Sequence, residues 1–222
     1  MIHIFDVDFT VIKKPTTWYY LREALREGII SFSQVKRLPI EWIKYKLKRP
    51  NMDFIEDAVK HLAGIDQQIL EKTAHTCFER RTKANIYTDA AILIKEIQQR
   101  GEIVVFATSS ITTMIQPLEK YFGIEGSIAT TLEFCCGKTT GKIAGYSCFG
   151  PKKKTAVEIW LKEKNINPKE VCFYTDSYTD LPLMEFCGRP VAVNPDRVLA
   201  KEAKKQGWEI LRFKKTLGVS RV

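Results

Sequence analysis

Asp6 and Asp8 stand one residue apart at the end of an apolar run, IHIFDVDFTV over residues 2–11. Ile2, Ile4, Phe5 and Val7 call for burial, whereas an unpaired buried carboxylate is costly. A second acidic pair, Asp176 and Asp180, follows the apolar run EVCFYT (170–175). Three hydroxyl residues, Thr108, Ser109 and Ser110, follow a third run, EIVVFA (102–107). In an open α/β sheet, ligands bind outside the carboxyl ends of the strands. If the three runs are parallel strands, these groups meet at one edge. Residues two apart on a strand share a face, so Asp6 and Asp8 are expected to address the same substrate. Four aspartates gathered there repel one another unless a cation joins them. An all-oxygen donor set selects a hard ion, Mg²⁺. A carboxylate nucleophile acting on phosphorus splits one hard displacement into two easier ones. The phosphoryl charge then calls for the cation and a lysine.

GPKKKTAVEIW (150–160) supplies Lys152, Lys153 and Lys154 at a helix start. Helical periodicity places Lys153 with Val157 and Trp160 at the edge of a core-facing stripe, so Lys153 is the expected partner of the carboxylates. Each group has a plainer reading. Asp6 and Asp8 read alone as a capping pair at a turn, which the second acidic pair disfavours. Thr108–Ser110 read as the N-cap of the following helix, a role compatible with binding phosphate. Lys152 and Lys154 read as part of a solvated charge run.

The elements that position these groups alternate in the second half of the chain. Helical patterns are TDAAILIKEIQQRG, TTMIQPLEKYFG, KKKTAVEIWLKEKN, YTDLPLMEFCG and DRVLAKEAKKQG; strand patterns are EIVVFAT, EVCFYT, RPVAVN and WEILRF. SIATTLEF and KIAGYSCF flank CCGKTTG and predict a hairpin. This order predicts a Rossmann-like, doubly wound parallel sheet with helices on both faces. The first strand belongs to that sheet, although its expected neighbours come some 90 residues later. Residues 15–85 carry only helical patterns between them: PTTWYYLREALREG, SFSQVKRLPIEWIKYKLKRP, MDFIEDAVKHLAG and DQQILEKTAHTCFERRTK, the last with Asp66 as N-cap. The expected organisation is an α/β core of residues 1–14 plus 86–222, with an all-helical cap inserted over 15–85.

The chain has 222 residues, 45% hydrophobic and 27% charged, enough for one core with a smaller lobe. It has no run of 18 apolar residues, so no membrane-spanning helix is expected. The N-terminus opens directly on a strand-like run without the segments of a secretory signal, so a cytoplasmic protein is expected. Six cysteines without a CxxC pair read as reduced packing residues. The net charge of +9 suits an acidic partner, but the basic residues are spread along the chain and no nucleic-acid signature accompanies them.

DVDFT, FATSS, a lysine near 153 and YTDSYTDLP resemble, in order and spacing, the four motifs of the haloacid-dehalogenase superfamily of phosphohydrolases. The helical insertion directly after the first motif is similar to the small cap of its phosphoserine-phosphatase-like branch. The resemblance implies that Asp6 attacks phosphorus to form an aspartyl-phosphate, and that Asp8 protonates the leaving alcohol and then activates water. It implies that Thr108 binds a phosphoryl oxygen and Lys153 balances charge. It makes Asp6, Asp8, Asp176 and Asp180 the metal residues: Asp6, Asp176 and the carbonyl of Asp8 as ligands, Asp180 from behind them. A small phosphorylated substrate is the expected partner, with no nucleic acid.

Three departures bear on that substrate. Phe9 stands where phosphoserine enzymes usually have a small residue. Thr108-Ser109-Ser110 replaces their Ser-Gly-Gly. Lys13-Lys14-Pro15 occupies the place of a substrate-binding glutamate. Alternatives are a lipid-phosphate (phosphatidylglycerophosphate-like) phosphatase, using the basic amphipathic EWIKYKLKR at a membrane surface, a receiver-like phosphoacceptor domain, and a non-catalytic anion- or nucleic-acid-binding protein with a vestigial site.

Overall fold

In a computed structural model, residues 1–32, 54–145 and 147–218 are described. Six strands form one parallel sheet: β1 (Ile2–Phe5), β2 (Ile103–Ile111), β3 (Ser127–Thr130), β6 (Val171–Thr175), β7 (Arg189–Val193) and β8 (Glu209–Leu211). Their order is β3-β2-β1-β6-β7-β8. The first strand lies at the centre. Ile4 pairs with Val105 on one side and with Phe173 on the other.

Alternation along the strands builds two apolar layers. Phe5, Phe106, Tyr174 and Val191 point to one face, where they meet Ala90, Ile94 and Ile97 of one helix (Thr88–Gln99) and Ile115 and Leu118 of another (Thr112–Phe122). Ile4, Val105, Phe173 and Ala192 point to the other face, against Val157 and Leu161 of the helix Pro151–Glu163 and Leu199 of the helix Arg197–Gln206. Near-continuous apolar strands are what a sheet covered on both faces requires. The doubly wound α/β architecture read from the sequence is therefore the one observed.

Between β1 and the Thr88 helix, the described elements are helical: α1 (Thr16–Arg26), α2 (Phe54–Lys60) and α3 (Gln67–Cys77). Asp66 caps α3, its carboxylate accepting the Gln68 N–H at 2.8 Å. Past Cys77 the helix continues as a wider π turn (Phe78–Thr82) and a 3₁₀ turn (Lys83–Asn85). The buried Glu23 carboxylate pairs with Arg26 of its own helix (3.3 Å) and ties α1 to that segment through Arg80 (2.9 Å) and Arg81 (3.4 Å). The second expected helix, including EWIKYKLKR with Trp42, Ile43 and Leu47, falls outside the described residues. Among those described, no helix is long and apolar enough to cross a membrane.

Two boundaries differ from the sequence expectation. SIATTLEF is not one hairpin arm: Ser127–Thr130 joins the main sheet as β3, and the chain breaks at Thr131 before β4 (Leu132–Cys135). The partner arm, β5 (Lys138–Ile143), contains the KTTG expected in the loop. The turn is only Cys136-Gly137, both left-handed (φ 52° and 75°), as the two-residue type I′ connection demands. This hairpin is a separate two-stranded sheet that packs on the helices. The Gly64 N–H donates to Thr139 O at 2.7 Å, and the Thr139 N–H donates to Ile65 O at 2.9 Å. Gly141 permits the approach, since a Cβ there would lie 2.8 Å from that of Ala63. Tyr20, Ala24, Ile30, Val59 and Leu70 of the helical segment share one apolar cluster with Ile111 and Leu132.

Candidate active site

β1 ends at Phe5, and Asp6 extends its ladder by one bond, its N–H donating to Tyr174 O at 2.8 Å. Beyond it the chain turns tightly: the N–H groups of Val11 and Ile12 both donate to Val7 O. Phe9 sits at φ 62°, a left-handed conformation uncommon for a bulky side chain. Asp6 and Asp8 therefore do not share a face through the strand pleat, as the sequence suggested, because Asp8 has already left the strand. The loop holds it instead. Asp8 Oδ1 accepts the Thr16 N–H at 2.8 Å at the start of α1, and Oδ2 accepts Ser110 Oγ–H at 3.4 Å. Thr16 Oγ1 and Ser110 Oγ are themselves hydrogen bonded, so α1 and β2 clasp this carboxylate jointly.

Asp6 is buried. Its Oδ1 accepts the Val7 N–H at 2.8 Å, and its Oδ2 lies 3.2 Å from Lys153 Nζ. Lys153 is 4% exposed and also reaches Asp180 Oδ2 at 2.8 Å. Its helix starts at Pro151, where the fixed ring suits a first turn, so Lys153 lies one turn before the buried Val157. The other two lysines go elsewhere: Lys152 pairs with Glu56 at 2.8 Å, and Lys154 lies over the Phe186 ring. Thr175, the last residue of β6, places Oγ1 2.7 Å from Asp180 Oδ2 and 3.5 Å from Asp6 Oδ2.

β2 runs through to Ile111, and the next helix begins at Thr112. Thr108–Ser110 thus do not cap that helix, contrary to expectation. They lie where the pairing with β3 shifts register between Ala107 and Ile111. Thr108 is fully buried, and its Oγ1 accepts the Ser110 N–H at 3.2 Å.

The electrostatics follow from this burial. Desolvation pushes Asp6 above the usual carboxylate range; Lys153 opposes the shift, and Asp180 and Asp8 add to it. Desolvation likewise raises Asp8, against the hydrogen bonds from Thr16 and Ser110. Asp176 is raised well above its ordinary value, by desolvation first and then by Asp6 and Asp180. Burial works against a charged Lys153, but Asp180 and Asp6 outweigh it and hold the ammonium protonated.

One lysine thus faces several repelling carboxyl groups, and Asp180 Oδ1 is buried without a hydrogen-bond partner among the described residues. Those features and the oxygen-only donor set fit a hard divalent cation. Asp8 is held by Thr16 and Ser110, and one oxygen of Asp180 by Lys153 and Thr175. In keeping with this, no three His, Cys, Asp or Glu side chains among the described residues form a ready-made metal cage. An ion beside Asp6 and Asp176 would draw on main-chain oxygen and water for the rest.

Thr16, Thr175 and the Asp8 contact of Ser110 did not emerge from the motifs. Thr175 had a local signal, a hydroxyl at the end of an apolar strand just before Asp176. Thr16 had none.

A sequence model of the haloacid dehalogenase-like hydrolase family matches residues 4–185. The chain belongs to this family. The histidinol-phosphatase of Neisseria meningitidis serogroup C (strain 8013) is 29% identical over 220 residues, covering 95% of this chain and 98% of that one. The inhibition of morphological differentiation protein of Streptomyces azureus is 31% identical over 215 residues, covering 94% and 77%. A solved phosphoserine phosphatase with a phospho-aspartyl intermediate analogue superposes with a TM-score of 0.67 at 22% identity, over 97% of this chain and 94% of that one. This haloacid dehalogenase-like hydrolase thus has the fold of the phosphoserine-phosphatase-like branch that its motifs resemble.

Proposed function

We propose that this hydrolase is a Mg²⁺-dependent phosphatase that cleaves a small phosphomonoester through an aspartyl-phosphate on Asp6. The observation that carries the reading is the buried Lys153, held between Asp6 and Asp180 at the end of β1, with Asp8 clasped beside them.

An Asp6 carboxylate oxygen attacks phosphorus, and the P–O bond to the alcohol breaks. Asp8, whose burial favours its protonated form, gives its proton to the departing alkoxide. Asp8 then takes a proton from water as that water attacks the aspartyl-phosphate. Inorganic phosphate leaves and Asp6 is restored. Lys153 offsets charge between Asp6 and the phosphoryl oxygens throughout, and Asp180 and Thr175 fix its position. Thr108 donates to a phosphoryl oxygen. Mg²⁺, where bound, neutralises phosphoryl charge; Asp6, Asp176 and the main-chain carbonyl of Asp8 would hold it, with Asp180 behind. The segment 15–85, with α1, α2 and α3, acts as the cap that excludes bulk water and selects the leaving group.

Turnover of a generic aryl phosphate with Mg²⁺, with the Asp6→Asn protein as blank, tests this directly. Steady multiple turnover in the wild-type protein alone supports it. Equal rates in both, or a phosphoryl group that is held and never released, would refute it.

A further inference from the structure

Beside the carboxylates lies a cavity of about 180 Å³, formed by four stretches of chain: Thr17–Ile30 of α1 and the residues after it, Ile55–Leu62, Ser109–Met114 and Phe149. Ile30, Val59, Ile111 and Tyr20 give it buried apolar walls. No Asp, Glu, Lys or Arg lines it among the described residues. Ser110, which lines the cavity, also donates to Asp8, and Thr17 lies next to Thr16, the other holder of that carboxylate. The cavity therefore adjoins the groups that hold Asp8, the proposed donor of a proton to the departing alcohol. Glu56 does not line the cavity but follows the lining residue Ile55 and joins α2 to the chain on either side of Phe149. Its Oε1 accepts Ser147 Oγ–H at 2.9 Å and Lys152 Nζ–H at 2.8 Å, which draws Ile55 of α2 towards Phe149.

Resting on the phosphatase reading above, we propose that this cavity is the leaving-group subsite and that the substrate is the phosphate monoester of an uncharged, apolar alcohol. An amino-acid alcohol brings an ammonium and a carboxylate, and burying either without a charged partner is costly. A cavity of roughly 150 Å³ lined by aliphatic and aromatic residues accepts a benzene ring, so this one fits a compact aryl or alkyl group of about six to eight carbons. Transfer of apolar carbon from water supplies the affinity, about fourfold in kcat/KM for each methylene that enters.

The test is the series methyl, n-propyl, n-hexyl, n-dodecyl and phenyl phosphate, with phospho-L-serine beside it. The expected result is a rise from methyl to hexyl on the order of a thousandfold, a plateau by dodecyl, and phospho-L-serine no better than methyl phosphate. A rise that continues to dodecyl would still support the subsite and would assign it a longer chain leaving through the mouth. Ala58→Trp, which fills the cavity, should cut the hexyl-to-methyl ratio by at least about tenfold. That ratio is read within each protein, so loss of folded enzyme cancels. A flat series, or phospho-L-serine preferred over hexyl phosphate, would overturn the proposal. Calorimetric binding of methyl and hexyl phosphate to the Asp6→Asn protein reads the same preference without turnover. Absent hydrolysis with tighter hexyl binding would refute the phosphatase reading alone, whereas equal binding would refute the subsite.

Discussion

The carboxylate cluster and the apolar cavity meet along β2 at Ser110, yet they solve burial in opposite ways. In the cluster every buried oxygen is costly, and stability depends on individual contacts: Lys153 to Asp6 and Asp180, Thr16 and Ser110 to Asp8. In the cavity no single contact matters much, and what is left unfilled is space. On the proposed reading, the chemistry is concentrated in a few atoms and the selectivity is spread over four segments.

Substitutions can sharpen or break that contrast. The largest effect is expected from Asp6→Asn, which should lower kcat on any phosphomonoester by roughly 10³-fold or more while leaving the circular dichroism spectrum intact. Next is Lys153→Met, which leaves Asp6 and Asp180 buried without their cation. Removing one partner of a buried ion pair costs on the order of 3–5 kcal/mol, and urea unfolding at neutral pH should show it. A change below about 1 kcal/mol would mean that the cluster is as forgiving as the cavity. Third, Asp176→Asn should raise the Mg²⁺ concentration giving half-maximal activity by at least about tenfold, and added Mg²⁺ should raise the melting temperature of the wild-type protein more than that of the variant.

The smallest effect is expected at the edge of the cavity. Glu56 is partly exposed, so Glu56→Gln should cost no more than about 1 kcal/mol at neutral pH. Desolvation pushes its carboxyl upward, but Lys152 and Ser147 outweigh this and hold it below its ordinary value. A depressed folded-state pKa contributes stability that is present above the unfolded value, about 4.3, and lost as pH falls through the folded one. Urea midpoints of the wild-type and Glu56→Gln proteins should therefore differ at pH 7 and converge in acid. A gap that persists in acid would show that the contact acts through packing and not charge.

The same contrast governs what the sequence discloses. Asp6, Thr108 and Asp176 each follow an apolar run, so topology alone brings their segments to one edge, and helical period singles out Lys153 from its two neighbours. Atoms that hold these groups in place are less legible. Thr16 acts through its backbone N–H, which no side-chain pattern announces, and Ser110 acts from within β2, beyond the point where the strand was expected to end. The break at Thr131 is invisible in SIATTLEF because β-branched residues continue across it; only the loss of a sheet partner ends β3. The cavity was not legible at all. It depends on how Ile30, Val59 and Ile111, distant in sequence and ordinary as residues, meet without filling the space between them. EWIKYKLKR, read as a membrane-facing helix or a cap helix, lies outside the described residues.

The central claim is that Asp6 is the acceptor of the phosphoryl group, and trapping that group tests it most directly. The Asp8→Asn protein, mixed with an aryl phosphate and Mg²⁺ and quenched in acid, should retain phosphate on the peptide that carries Asp6, as read by mass spectrometry. Phosphate found on another residue, or hydrolysis with no phosphorylated peptide at any quench time, would contradict the account.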